Sequence, residues 1–268
     1  METITSKDGT MIAYQRSGVG PPLVLVHGTT VDHTRWTPIL PGLEQHFSVY
    51  AIDRRGRGES GDADTYAIER EFEDVAAVVD SLEEPANLLG HSYGAICSLE
   101  AALLTQNVRK LILYEGPAIP PGMQIYPEGL IDRLQAMLDR GAQEEVVTTF
   151  MREMVRVPPH ELELLRSLPA WKARVAAAHT IPRELRAHER YLYAPERFKG
   201  LTTPTVLLLG GESPPLFKVA IEAQNAALPN SRIVVMPGQR HTAMDTAPEL
   251  FTREVLQFLA QEDQIARL

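Results

Sequence analysis

The chain has 268 residues, 44% of them hydrophobic and 23% charged, an ordinary globular composition that excludes a disordered or fibrous chain. With 26 Lys and Arg against 35 Asp and Glu the net charge is -9, and no Lys/Arg-rich run exists to neutralise a phosphate backbone, so nucleic acid is excluded as a partner. The opening METITSKDGTMIAY lacks the basic start and long apolar core of a secretion signal, and no later apolar run could span a bilayer; a cytoplasmic protein with no membrane span is expected.

In chain order, two alternating stretches flank Asp8-Gly9, which predicts a hairpin at an antiparallel edge. Short Val, Ile and Leu runs then predict strands at 23–28, 47–53, 86–92, 108–116, 205–211 and 232–238. Most lack polar alternation, as strands buried on both faces do. Helical patterns lie between several of them, such as Phe72, Val75, Val79 and Leu82. The repeated βα order predicts an α/β fold: a mostly parallel, doubly wound sheet of about eight strands with helices on both faces.

From Pro117 to Pro204 no strand is predicted, while Leu130, Leu134 and Leu138, then Phe150, Met151, Met154 and Val155, have helical spacing. This stretch reads as an inserted helical cap, residues 117–204, within a core formed by 1–116 and 205–268. Thr246-Ala-Pro-Glu249 reads as a capping box opening a last helix with Leu250, Phe251, Val255, Phe258 and Leu259 buried. The final QEDQIARL is expected to fray.

The chemistry is expected at Gly90-His-Ser-Tyr-Gly94, where an apolar run meets a small-residue helix. Carboxyl ends of parallel strands line the crevice where ligands bind. Glycines on either side relieve a tight strand-to-helix turn that holds the Ser92 hydroxyl clear of the backbone. A serine hydroxyl is a weak nucleophile without a base. His241, in MPGQRHTAMD after the last predicted strand, lies at the same sheet edge and is the candidate base. His27-Gly28-Thr29-Thr30 ends the first core strand, and the N–H groups of Thr29 and Tyr93 are candidates for an oxyanion hole.

HGTT at 27–30, DRRGRGES at 53–60, GHSYG at 90–94 and GQRH at 238–241 resemble the α/β-hydrolase fold family. The resemblance spans nearly all of the chain outside the cap, and it implies a triad of Ser92, an acid and His241. The family usually carries the acid after the seventh strand, in a Gly-x-x-Asp turn; here that stretch reads LLLGGESPP, and Ser213 holds the position. Glu212 is one residue early. Some branches, certain haloalkane dehalogenases among them, place the acid after the sixth strand, where this chain has Glu115 in ILYEGPAIP. We take Glu115, with Glu212 as the alternative, because an acid at an apolar strand end needs a reason.

The remaining motifs read as structural. DRRGRGES lacks the Lys-Ser/Thr ending of a nucleotide-phosphate cradle, His91 reads as a packing residue, and the lone Cys97 as a small buried one. No histidine pair or cysteine cluster suggests a metal, and no cofactor is expected. Trp171, His179 and Met154 are the candidate substrate contacts, and the apolar residues of the cap predict a largely apolar pocket.

The expected function is a serine hydrolase cleaving carboxylic esters or lactones of small, largely apolar substrates through an acyl-enzyme. The partner is therefore a small-molecule ester or related acyl substrate. A carbon-carbon bond hydrolase, perhydrolase or acyltransferase on the same triad is the alternative, and a non-catalytic receptor on the hydrolase scaffold the alternative of another class. Serine rather than aspartate at 92 argues against dehalogenase and epoxide hydrolase chemistry.

Overall fold

A computed structural model of the chain describes residues 1–261; the fraying expected of the last residues lies outside that range. Eight strands form: β1 (Glu2–Thr5), β2 (Met11–Ser17), β3 (Pro22–Val26), β4 (Ser48–Ile52), β5 (Ala86–His91), β6 (Val108–Tyr114), β7 (Thr205–Gly210) and β8 (Ser231–Met236). They make one sheet in the order β1-β2-β4-β3-β5-β6-β7-β8. β1 and β2 pair antiparallel around the expected Asp8-Gly9 turn, where Gly9 has φ 90°. β2 joins β4 antiparallel, and all later pairings are parallel.

The apolar runs are continuous because the inner strands each feed two cores. Val24, Val26, Leu88 and Leu113 pack with Phe72, Val79 and Ile96 on one face. Their neighbours Leu23, Leu25, Leu89 and Ile112 pack with Trp36, Phe251 and Val255 on the other. Period-two alternation sends successive side chains to opposite faces, and helices cover both. Cys97 is fully buried in the first of these cores.

β3 lies between β4 and β5, so the chain winds away from it in both directions. A crevice opens at the carboxyl ends of strands where the winding reverses. The residues after β3 and β5 face that crevice.

Between β6 and β7 there is no strand. Helices Leu130–Asp139, Gln143–Phe150, Pro159–Ser167, Trp171–Ala176 and Ile181–Arg190 occupy the stretch. Residues Met151–Val155 form a π-helix, a geometry often found near functional sites. Leu130, Leu134, Phe150, Met151, Val155 and Trp171 share a core of their own.

The segment is tied to the sheet by charge. Arg54 is paired with Glu71 at 2.6 Å and with Glu184, which Arg57 also meets; Arg55 is paired with Asp74 and Asp8 at 2.6 and 2.9 Å. Burial pushes the Glu184 carboxyl up, but Arg54 and Arg57 outweigh it and hold it below the usual range. The three arginines of DRRGRGES are therefore structural, as its sequence suggested.

The last helix, Pro248–Leu259, starts differently from expectation. Ala247, not Thr246, precedes it, without a side-chain cap. Thr246 instead ends the short helix Ala243–Thr246, and its hydroxyl donates to Gln239 Oε1 at 2.8 Å. Pro248 supplies the reason: proline suits the first helical position, where its missing N–H would have no partner.

Candidate active site

β5 ends at His91 and the next helix starts at Tyr93, leaving Ser92 to make the turn alone at φ 56° and ψ -124°. Such a backbone is costly for a non-glycine residue. It is held by packing: a Cβ on Gly90 would lie 2.5 Å from Gly94 O, and one on Gly94 would collide with the Val26 and His27 carbonyls. The Ser92 N–H donates to Tyr114 O at 2.8 Å. Tyr93 opens the helix, so its N–H is one of those with no intrahelical acceptor.

Glu115 follows β6 at φ 47° and is fully buried. Its Oε1 accepts the Gly210 N–H at 2.7 Å, and its Oε2 lies 2.6 Å from His241 Nδ1. A carboxylate only accepts, so the proton of this bond is on Nδ1, and Nε2 is left as the basic nitrogen.

The ring is fixed on other sides as well. Phe217 stacks on it at 4.3 Å and 19°. His91 Nε2–H donates to the His241 carbonyl at 3.0 Å, and Tyr114 Oη donates to that of Arg240. Burial, then the nearby His241, keeps His91 well below the ordinary histidine range, so it stays neutral. Glu212 points elsewhere: its side chain is 57% exposed and lies 3.5 Å from Arg240.

Three of the four non-glycine residues with positive φ among those described, Thr30, Ser92 and Glu115, gather at this sheet end. Strained backbone of this kind concentrates at functional sites.

Ser92 and His241 share the wall of a cavity of about 20 Å³ with Thr29, Thr30, Val31, Arg35, His91, Phe150, Met151, Val155, Arg174 and Thr242. No hydrogen bond joins Ser92 Oγ to His241 among the described residues. A ligand-free catalytic pair is often looser than its substrate complex.

The expected substrate contacts do not line this cavity. Trp171 is in the core of the helical segment, its Nε1–H donating to Glu144 at 3.3 Å. Met154 packs against that core, and His179 borders a separate groove beside Gly56 and Arg57. The helix Trp171–Ala176 turns Arg174 to the cavity and buries Trp171 in the segment's core.

The wall is also less apolar than expected, because the two buried arginines Arg35 and Arg174 belong to it. Sequence reasoning passed over Arg174. A signal was available: it stands three residues after Trp171, near the face a helix would bury.

One group of potential cation ligands, Asp32, His33 and Asp53, occurs among the described residues. It is closed on itself, since His33 Nδ1 and the His33 N–H both bond Asp53 Oδ1 at 2.8 Å.

Comparison with known proteins matches residues 23–254 to the alpha/beta hydrolase family. The 2-(acetamidomethylene)succinate hydrolase of Mesorhizobium japonicum is 28% identical over 91% of this chain and 90% of its own length. A pimeloyl-[acyl-carrier protein] methyl ester esterase of Neisseria meningitidis is 27% identical over 85% of this chain and 89% of its own. An alpha/beta hydrolase from Sphaerobacter thermophilus has a crystal structure that superposes with TM-score 0.83 at 36% identity, covering 96% of this chain and all of that one.

Proposed function

The chain belongs to the alpha/beta hydrolase family and is a hydrolase, and from that premise we propose that it is a serine hydrolase acting on carboxylic esters or lactones, with Ser92, His241 and Glu115 as its triad. The observation that carries the reading is the 2.6 Å bond from His241 Nδ1 to the buried Glu115, which leaves Nε2 basic in the cavity that Ser92 lines.

The steps follow from these positions. His241 Nε2 takes the hydroxyl proton as Ser92 Oγ attacks the carbonyl carbon, and Glu115 steadies the imidazolium that forms. The N–H groups of Thr29 and Tyr93 receive the developing oxyanion. Imidazolium protonates the departing alkoxide, leaving an acyl-enzyme. His241 then deprotonates a water that attacks the acyl carbon, and the acid leaves as the proton returns to Ser92.

The helical segment 117–204 serves in this reading as a cap, with Phe150, Met151, Val155 and Arg174 over the nucleophile. A cavity of about 20 Å³ admits roughly one water. Substrate entry therefore requires these side chains, or the segment that carries them, to move.

A fluorophosphonate probe tests the nucleophile: it should label Ser92 stoichiometrically, and Ser92→Ala should lose both labelling and turnover of short p-nitrophenyl esters. Folded protein that hydrolyses esters while Ser92 stays unlabelled would remove the proposal.

A further inference from the structure

Four arginines of this chain are buried against the sheet end in or near carboxylates: Arg35 meets Asp245 at 2.5 Å, and Arg54, Arg55 and Arg57 each meet at least one Asp or Glu. Arg174 is different. It is 4% exposed, lines the cavity with Ser92 and His241, and has no ion pair among the described residues. Its one side-chain hydrogen bond among the described residues goes to the neutral hydroxyl of Thr30, at 3.0 Å. A guanidinium carries five N–H donors in a rigid fork, so most of this one's donors have no protein acceptor among the described residues.

Burial first, and then the neighbouring Arg35, pull its pKa down to about 9, with Asp245 and Asp32 offsetting only part of this. A buried charge without a partner costs stability and is retained where a ligand completes it.

We propose that Arg174 binds a carboxylate of the substrate, making the preferred substrates esters whose scissile carbonyl lies a short chain away from a free carboxylate, such as half-esters of short dicarboxylic acids. The inference rests on the serine hydrolase reading for the reaction, and on Arg174 alone for the substrate class. Three observations fix the chemistry. The fork of a guanidinium matches a carboxylate with two parallel hydrogen bonds. Thr30, next to the candidate oxyanion donor Thr29, holds the guanidinium from the sheet side. Arg174 and Ser92 line the same cavity, so the carboxylate lies close to the carbonyl under attack.

The test compares monomethyl succinate with its neutral isostere methyl 4-methylpentanoate by pH-stat, in the wild type and in Arg174→Met. The wild type should favour the acid by about 100-fold in kcat/KM, the size expected when one partner of a buried, hydrogen-bonded charge pair is missing. Arg174→Met should bring that ratio towards one, chiefly by raising KM for the acid. Succinate should raise the Tm of the wild type and not that of the variant. Without ligand, the variant should melt at or above the wild-type temperature, because an unpaired buried charge has been removed.

A wild-type ratio near one, an equal slowing of both esters by Arg174→Met, or a ligand-free variant that melts several degrees lower would each overturn the proposal; the last would mark Arg174 as structural. If neither ester is hydrolysed but succinate still protects only the wild type, the carboxylate site stands and the serine hydrolase reading falls. If neither ester is hydrolysed and succinate protects neither protein, the carboxylate site is overturned.

Discussion

The carboxyl end of the sheet and the helical segment above it present polar groups to their shared cavity in different ways. At the sheet end the groups that hold His241 and Arg54 are closed on partners: Glu115 on Gly210 and His241, His91 Nε2 on the His241 carbonyl, Arg54 on Glu71. Closure fixes tautomer and orientation, which is what a proton relay needs. The helical segment faces the same cavity with Phe150, Met151, Val155 and Arg174, which has no ion pair among the described residues, groups that can meet a ligand but cannot move its protons. The difference teaches that the two sides carry different properties. On the proposed reading the sheet end sets kcat, and the helical segment sets which molecule is accepted.

Substitutions can break that division. Ser92→Ala should have the largest effect, lowering ester turnover by about 10⁵-fold or more with the Tm near wild type. Glu115→Gln should lower kcat by roughly 10³- to 10⁴-fold, since an amide no longer secures the Nδ1–H tautomer. Glu212→Gln should leave steady-state rates within about twofold, because that side chain is largely solvated. The reverse ranking of the two glutamates would move the acid to the loop after β7.

Stability separates the regions next. Glu184→Gln leaves Arg54 and Arg57 facing each other with less countercharge, and should cost about 3 kcal/mol or more in denaturant unfolding. An unchanged unfolding midpoint would show that the segment is held by packing alone.

A smaller effect should appear with pH. His188 bonds Tyr126 Oη and the Pro117 carbonyl and is fully buried, and burial lowers its pKa to about 4 from 6.5. Its depressed value means that the unfolded chain binds more protons between those limits. Stability therefore rises with pH across that window and is lost as pH falls through it, by an upper bound of about 3 kcal/mol. Melting curves from pH 7 to pH 4 should show a loss that His188→Gln reduces. The smallest effect belongs to His179→Ala, which should change kcat/KM by less than about twofold, since this side chain borders the other groove. A larger drop would extend the substrate site beyond the cavity.

Local chemistry made much of this legible in advance. The βα rhythm, the Asp8-Gly9 turn and the residues after β3, β5 and β6 follow from propensities and backbone needs that act over a few positions. Glu115 could be singled out because a carboxylate at an apolar strand end must have a partner. The start of the last helix was misplaced, since Thr246 and Pro248 both signal a helix start and only the fold decides between them.

By itself, then, the sequence pointed to the sheet, the helical stretch between β6 and β7, and a serine and a histidine at one sheet edge, because these depend on short-range patterns, while the acid, taken from the family resemblance, stayed a choice between Glu115 and Glu212. Only the tertiary structure decided that Glu115 meets His241 from 126 positions away, that Trp171, His179 and Met154 lie off the cavity, and that Arg174 has no carboxylate partner among the described residues. Pairing of buried charges depends on distances in space between segments remote along the chain, and no local pattern carries that information.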